Sequence, residues 1–90
     1  MKPAKDTVTA RRDLFAEMER GELSMVDTIR RARRIMGLNQ KKYAALVGLS
    51  PRVLIDFERG AGNPTLDTLE KIGRPFGFEV AYRHRARPTN

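Results

Sequence analysis

Basic side chains are the groups in this 90-residue sequence whose type and spacing point to chemistry most directly. The formal net charge is +7 at pH 7, and residues 30–62 hold eight Lys or Arg against two Asp or Glu. The tail, residues 83–90, adds three Arg and no acidic residue. A basic stripe on an otherwise balanced domain is typical of a protein that binds a polyanion. A solvated basic surface that aids solubility is the alternative.

Side chains for catalysis or metal binding are scarce. The one histidine is His84 in the tail, and the two serines, Ser24 and Ser50, stand where they would cap helices. There is no cysteine for a disulfide or a thiolate metal site. No carboxylate pair or phosphate-binding loop can be recognised. We therefore expect a protein that is not an enzyme, with no catalytic residue, no metal and no cofactor.

Length and hydropathy bound the organisation of the chain. The sequence is short enough for one domain, which we expect over residues 1–90. A domain of this size buries roughly 60–65% of its unfolded surface, and such domains often gain stability by forming dimers. No apolar stretch is long enough for a signal peptide or a membrane span. A cytoplasmic location without membrane contact is the expectation.

Hydrophobic periodicity predicts five helices. The first covers residues 8–20, with Leu14, Phe15 and Met18 on one face. The other four begin after residues that cap helix N-termini, namely Ser24, Asn39, Ser50 and Thr65. Side chains expected to face inward on the second and the last helix are Met25, Ile29, Ala32, Met36, Leu66, Leu69 and Ile72. Pro75 should end or kink the last helix.

Beyond Gly77 the pattern changes from helical to alternating. Phe78, Val80 and Tyr82 alternate with charged or small residues, which predicts a short β-strand over residues 78–83. An isolated strand cannot satisfy its own backbone, so it should pair with its two-fold mate or a local partner. The three side chains are therefore expected at a dimer interface.

The two central helices are separated only by residues 48–50, so they must cross at a steep angle. Ala44 lies where the first helix meets the second, and a large side chain there would push them apart. Gly48 is placed where the turn needs a positive φ. The small shared core is expected to consist of Tyr43, Val47, Leu49, Leu54 and Phe57.

The string QKKYAALVGLSPRVLIDFERG, followed by NPTLDTLEKI, closely resembles the Xre/Cro-type helix-turn-helix family, which includes the lambdoid phage repressors. The resemblance implies an all-α fold: a compact helical bundle with a lambda repressor-like DNA-binding domain. The core would cover residues 24–76 and the motif residues 40–59. This fold would here carry an extra N-terminal helix (8–20), the short C-terminal β-strand (78–83) and a basic tail (84–90).

The resemblance implies that residues 50–59 form a recognition helix in the major groove of double-stranded DNA. The positions that reach base edges hold Pro51, Arg52, Val53 and Asp56. Arg52 can donate two hydrogen bonds to guanine, and Asp56 can accept one from cytosine. Pro51 or Val53 can pack on a thymine methyl group. The alternatives are a phosphate contact for Arg52 and an ion pair with a neighbouring arginine for Asp56.

Phosphate contacts are expected beside the recognition helix. In the family, the glutamine that opens the first helix of the motif bonds a phosphate, and the corresponding residue here is Gln40. An ordinary surface glutamine is the alternative. The other candidates for phosphate contacts are Lys41, Lys42, Arg59 and Asn63.

Two charged residues of the motif look structural. Arg33 and Glu58 match a family ion pair that ties the preceding helix to the recognition helix, and solvated charges are the alternative. Three further arginines of the preceding helix either reach the phosphate backbone or form a solvated face: Arg30, Arg31 and Arg34.

The resemblance favours a sequence-specific transcriptional regulator, a repressor that binds an inverted-repeat operator as a homodimer. An antitoxin is the alternative function, because FGFEVAYRHR resembles the strand that follows the motif in HipB-like antitoxins. The helix over residues 8–20 would then be a toxin-binding arm, or otherwise a cover for the core. The expected partners are double-stranded DNA, a second copy of the chain and, under the alternative, a toxin protein.

Overall fold

The computed structural model of the chain describes residues 7–84, and its regular structure is helical. The helices are α1 (Thr7–Glu19), α2 (Met25–Ile35), α3 (Gln40–Val47), α4 (Pro51–Glu58) and α5 (Leu66–Gly73), with a 3-10 turn at Arg74–Phe76. The all-helical fold class is confirmed. Within residues 7–84, no helix is long and apolar enough to cross a membrane. Most of the basic tail lies outside the described residues.

Four helices begin at polar side chains that accept a hydrogen bond from a backbone N–H three residues later. The donor–acceptor distances are 3.0 Å at Ser24, 2.8 Å at Asn39, 3.4 Å at Ser50 and 3.1 Å at Thr65. Pro51 follows at the first position of α4, where an N–H is not needed. The predicted starts of α2 to α5 are confirmed, and local capping chemistry explains them.

The main core lies between α2, α3, α4 and α5. Its buried side chains are Ile29, Tyr43, Ala44, Leu54, Phe57 and Ile72. Tyr43 donates from its hydroxyl to the carbonyl of Ile72 at 2.6 Å. Burial raises the pKa of Tyr43 to about 12, so the phenol stays protonated and keeps this donor at neutral pH. The hydrogen bond joins α3 to the end of α5.

The N-terminal helix α1 covers a second cluster of buried side chains, Leu14, Ala32 and Phe76. Leu14 has no exposed surface. Arg31 of α2 donates to Glu17 of α1 at 2.6 Å, and the guanidinium of Arg11 lies 4.6 Å from the ring centroid of Phe76. Apolar burial, an ion pair and a cation–π contact therefore hold α1 on the domain.

Three of the predicted inward-facing residues on α2 and α5 are exposed, and one of them is Met36, the C-terminal cap of α2, at 37%. Met25 is 51% exposed and Leu66 is 59% exposed. Each is the first residue of its helix. Because side chains in a helix lean towards its N-terminus, those of the first turn extend past the packed region. Met36 lies at the other end of α2, beyond the last residue of the helix. The prediction that these three side chains face inward is therefore wrong.

The predicted C-terminal β-strand over residues 78–83 is wrong, because the described chain forms no strand there. The N–H of Phe78 donates to the carbonyl of Gly73 at 3.0 Å. The Phe78 ring lies 6.0 Å from that of Phe15 and 5.5 Å from that of Phe76. A Cβ on Gly73 would lie 2.9 Å from the Cβ of Phe78, so glycine permits this approach. The segment therefore packs against helices, which offer no sheet edge with which a strand could pair.

Candidate nucleic-acid interface

A sharp turn at residues 48–50 connects α3 to α4. Gly48 ends α3 with a φ of +76°, a conformation that favours glycine. The N–H of Leu49 donates to the carbonyl of Ala44 at 2.9 Å, and Ala44 itself is fully buried. The expectations of a positive φ at Gly48 and of close packing at Ala44 are confirmed. Together these features fix the direction in which α4 leaves α3.

The N-terminal half of α4 presents its side chains to solvent. Pro51, Arg52 and Val53 are exposed, whereas Leu54 and Phe57 of the same helix are buried in the main core. One face of α4 is therefore anchored and the other is open. An element that enters a DNA groove needs this arrangement.

Asp56 lies one turn further along α4 and is half-buried. Its Oδ1 atom is 3.9 Å from Nη1 of Arg59, an ion pair three residues apart in the chain. Asp56 also lines a shallow cleft between α4 and the loop that leads to α5, together with Val53 and Asn63. Arg59 and Asn63 are exposed at this edge of the domain. The cleft thus offers donors and acceptors close to the open face of α4.

Glu58, near the end of α4, is the buried polar centre of the site. It is 3% exposed, and Arg33 donates to both carboxylate oxygens, from Nε at 2.8 Å and from Nη2 at 2.9 Å. The side-chain amide of Gln40 donates to Oε1 at 3.0 Å. Arg33 also donates to the carbonyl of Leu38 at 3.0 Å. The carboxylate therefore links α4 to both α2 and α3.

Two opposing effects act on the pKa of Glu58. Burial raises it, while the hydrogen bonds from Arg33 and Gln40 and the charges of Arg33 and Arg30 lower it. The net result is a pKa below the ordinary value. Glu58 is accordingly ionised at neutral pH, and its negative charge offsets the positive charges of the arginines around it.

The sequence did not predict two of these contacts. Arg30 donates from Nη2 to the main-chain carbonyl of Glu58 at 2.5 Å, and Gln40 bonds the Glu58 side chain. The spacing of the arginines partly indicated the contact of Arg30 with Glu58, because Arg30 and Arg33 are three residues apart and share one face of α2. A main-chain acceptor on another helix leaves no trace in the sequence, however.

Two of the predicted phosphate-contacting residues, Lys41 and Lys42, are exposed in the first turn of α3. Cations beside the positive end of a helix dipole favour contact with a phosphate. Arg34 is also exposed, whereas Arg30 and Arg31 are engaged within the domain. In residues 7–84, no cluster of three or more His, Asp or Glu side chains could hold a metal ion.

The three residues predicted to form a dimer interface lie in different environments. Phe78 belongs to the core, packed against Phe15 and Phe76. Val80 is half-buried and lines the C-terminal groove, a depression whose other lining residues include Met25 and Leu69. Tyr82 is fully exposed. Phe78 and Val80 therefore pack against their own domain, whereas Tyr82 lies in solvent.

Comparison with known proteins agrees with this geometry. The helix-turn-helix family HTH_3 matches residues 29–82. Endothelial differentiation-related factor 1 from Rattus norvegicus and from Mus musculus is 31% identical over 70 residues, 78% of this chain and 47% of the relative. The HTH-type transcriptional regulator DdrOP3 of Deinococcus deserti is 33% identical over 58 residues, 64% of this chain and 45% of that protein.

The chain spans about half the length of the curated relatives it matches. No solved structure matches it significantly. The family match nevertheless covers more than half of the chain, including the whole of α3, the turn and α4. The chain belongs to the Xre/Cro-type helix-turn-helix family.

Proposed function

We propose that the chain is a sequence-specific DNA-binding transcriptional regulator in which α4 enters the major groove. The observation that carries this proposal is the contrast between the two ends of α4. Its C-terminal end is fixed through buried Glu58 to α2 and α3. Its N-terminal residues, at 51–53, are exposed. A short helix held in this way can present side chains to base edges at a defined angle.

Four residues of α4 are proposed to contact base edges. They are Pro51, Arg52 and Val53 on its open face and Asp56 at the cleft. Arg52 donates two hydrogen bonds to guanine O6 and N7, while Pro51 or Val53 packs on a thymine methyl group. Asp56 accepts from cytosine N4 once its 3.9 Å pairing with Arg59 loosens. That pairing is weak at such a distance and half-exposed, so contact with DNA can replace it.

Phosphate contacts are proposed for residues around the start of α3 and the end of α4. Gln40 has two amide hydrogens, and its bond to Glu58 leaves the second for a phosphate oxygen. The exposed side chains that would bind neighbouring phosphates are Lys41, Lys42, Arg59 and Asn63. The relative DdrOP3 is named as a transcriptional regulator, which supports the same function.

We further propose that the chain acts as a repressor, bound as a homodimer to an inverted-repeat operator. Exposed apolar side chains near the C-terminal groove support the proposal that a second copy of the chain binds there. Met25, which lines the groove, is 51% exposed, and Tyr82, which lies in the chain between the lining residues Ala81 and Arg83, is fully exposed. Burying such side chains between two copies would remove apolar surface from water and bring two α4 helices onto one duplex.

The test is a selection from random duplexes followed by titrations of wild type, Arg52→Ala and Lys41→Ala at two salt concentrations. Wild type should enrich an inverted repeat, and its affinity should fall steeply with salt. Arg52→Ala should cost ~1–3 kcal/mol on the selected site and relax one guanine preference. Lys41→Ala should weaken binding to every sequence alike.

Two results would refute the assignment of α4 as the reading element. The first is a selection in which wild type enriches no inverted repeat. The second is a parallel loss of affinity by Arg52→Ala and Lys41→Ala on all sequences, which would make Arg52 a phosphate contact. Leu46→Ala serves as a control for substitution of an exposed residue without loss of charge, because Leu46 is an exposed, uncharged residue of α3.

The antitoxin alternative has less support than the regulator. Neither of its two sequence features has the expected form in the structure. The helix α1 packs over the core through fully buried Leu14, and residues 78–83 form no strand. A small toxin gene beside the coding sequence would restore the alternative.

A further inference from the structure

The C-terminal end of α4 is completed by a side chain from another helix. The last carbonyls of a helix have no partner within it. Here the N–H groups of the following turn serve three of them: Arg59 donates to Ile55, Ala61 to Asp56 and Gly60 to Phe57. The carbonyl of Glu58 instead accepts from Nη2 of Arg30 at 2.5 Å. Arg30, on α2, thus supplies the partner that α4 itself lacks.

Arg30 is placed to act on the position of α4 more than on the stability of the core. Its side chain is 35% exposed, and its Nε lies 3.8 Å from Oε1 of Glu58. Arg33, on the same face of α2, is only 11% exposed and holds the Glu58 carboxylate. The two arginines therefore hold the main chain and the side chain of the same residue. A cation at a helix C-terminus also interacts favourably with the helix dipole.

We infer that Arg30 is a positioning residue for base reading, whose guanidinium sets the angle at which α4 meets the DNA. This inference rests on the proposed function. Because α4 has only eight residues, a tilt at its C-terminal end displaces the exposed residues at its N-terminal end. A phosphate contact by Arg30 would instead strengthen binding to every sequence alike.

The experiment compares Arg30→Ala with the matched control Arg34→Ala, which removes the same charge from an exposed position of α2. Each variant is titrated with the selected operator and with a random duplex at two salt concentrations. Arg30→Ala should lose about tenfold in operator affinity and about twofold on random DNA. Its salt slope should equal that of wild type. Amide hydrogen exchange at residues 59–61 should be faster in Arg30→Ala than in Arg34→Ala.

A second variant, Arg30→Lys, tests whether a loss of affinity in Arg30→Ala is due to a general loss of folding. Lysine keeps the charge and a donor on a long stem, so it should recover part of the operator preference. The inference is overturned if Arg30→Ala weakens binding to both duplexes equally, with a salt slope smaller by about one. It is also overturned if the ratio of the two affinities stays at the wild-type value.

The same titrations separate the two proposals. If wild type binds all duplexes equally, the proposed function fails and this inference fails with it. If wild type prefers its selected operator and Arg30→Ala keeps that preference unchanged, only the inference fails.

Discussion

At the scale of single residues, the pair formed by Arg33 and Glu58 should matter most for stability. Both are nearly buried, with side chains 11% and 2% exposed, and they share two hydrogen bonds. Removing either partner leaves a buried charge without compensation, so Arg33→Ala or Glu58→Ala should cost up to ~3–5 kcal/mol in the free energy of unfolding. Urea denaturation of both variants measures this loss.

The matching double variant, Arg33→Met with Glu58→Leu, leaves no stranded charge and should recover much of that loss. Arg34→Ala is the control, since it removes an exposed arginine from the same helix. Small, additive losses in the two single variants would show that the pair is not coupled.

Glu58 should also give the domain a defined dependence on acid. Its pKa in the folded protein lies below the ordinary value, whereas the unfolded chain has a glutamate pKa of about 4.3. The stabilisation is therefore fully present above pH ~4.3 and is lost as the pH falls through the folded pKa. Wild type should be more stable than Glu58→Gln at pH 6, and this difference should shrink in acid. An unchanged difference down to pH 2.5 would contradict the prediction; Glu70→Gln, an exposed glutamate, is the control.

The residue-scale comparison of sequence and structure shows what kind of contact can be predicted. The sequence placed Arg33 and Glu58 together through a family resemblance, and the structure has them in contact. It did not predict that Gln40 would bond Glu58, because the amide was expected to face a phosphate. Nor could it predict the contact of Arg30, whose acceptor is a main-chain carbonyl. Side-chain types carry information about charge pairing but not about main-chain acceptors on other helices.

At the scale of elements, α1 should behave as part of the core. Leu14 is fully buried against Ala32 and Phe76, so Leu14→Ala should lower the free energy of unfolding by ~2–5 kcal/mol. Val8 of the same helix is 66% exposed, and Val8→Ala should change stability by less than ~0.5 kcal/mol. Equal, negligible effects of both substitutions would mean that α1 is detachable, as a partner-binding arm would be.

Elements were predictable where local chemistry defines them. The starts of α2 to α5 follow from caps such as Ser24 and Thr65, and each cap forms the hydrogen bond that its residue type suggests. The segment over residues 78–83 has no such local determinant. Its alternating pattern fits a strand, but the outcome depends on the contact of Phe78 with Gly73 and with rings from α1 and the 3-10 turn. Such tertiary packing overrides strand propensity.

At the scale of the whole molecule, the proposed homodimer can be tested without disturbing the fold. Deleting the chain after Gly77 would remove Phe78 from the core, so loss of the dimer would be confounded with unfolding. Tyr82 is a better target because it is fully exposed and makes no part of either core cluster. Tyrosine is also enriched among the residues that dominate binding at protein interfaces.

We therefore expect Tyr82→Ser to weaken self-association by at least about tenfold while leaving the thermal midpoint unchanged. Sedimentation equilibrium at micromolar concentration measures the first effect and calorimetry the second. Leu46→Ser is the matched control: Leu46 is a 54% exposed apolar residue on α3, away from the C-terminal groove. It should leave self-association at the wild-type level.

The proposed dimer also implies a spacing for its DNA site. Two α4 helices related by a two-fold axis should meet half-sites about one helical turn, roughly 34 Å, apart. Inserting about half a turn of DNA between the half-sites rotates one of them to the opposite side of the duplex, so wild type should lose most of its operator affinity. Tyr82→Ser should bind both duplexes with the same weak affinity, because each copy then binds alone. Equal binding of wild type to the two spacings, or a Tyr82→Ser variant that remains dimeric, would contradict a dimer formed through this surface.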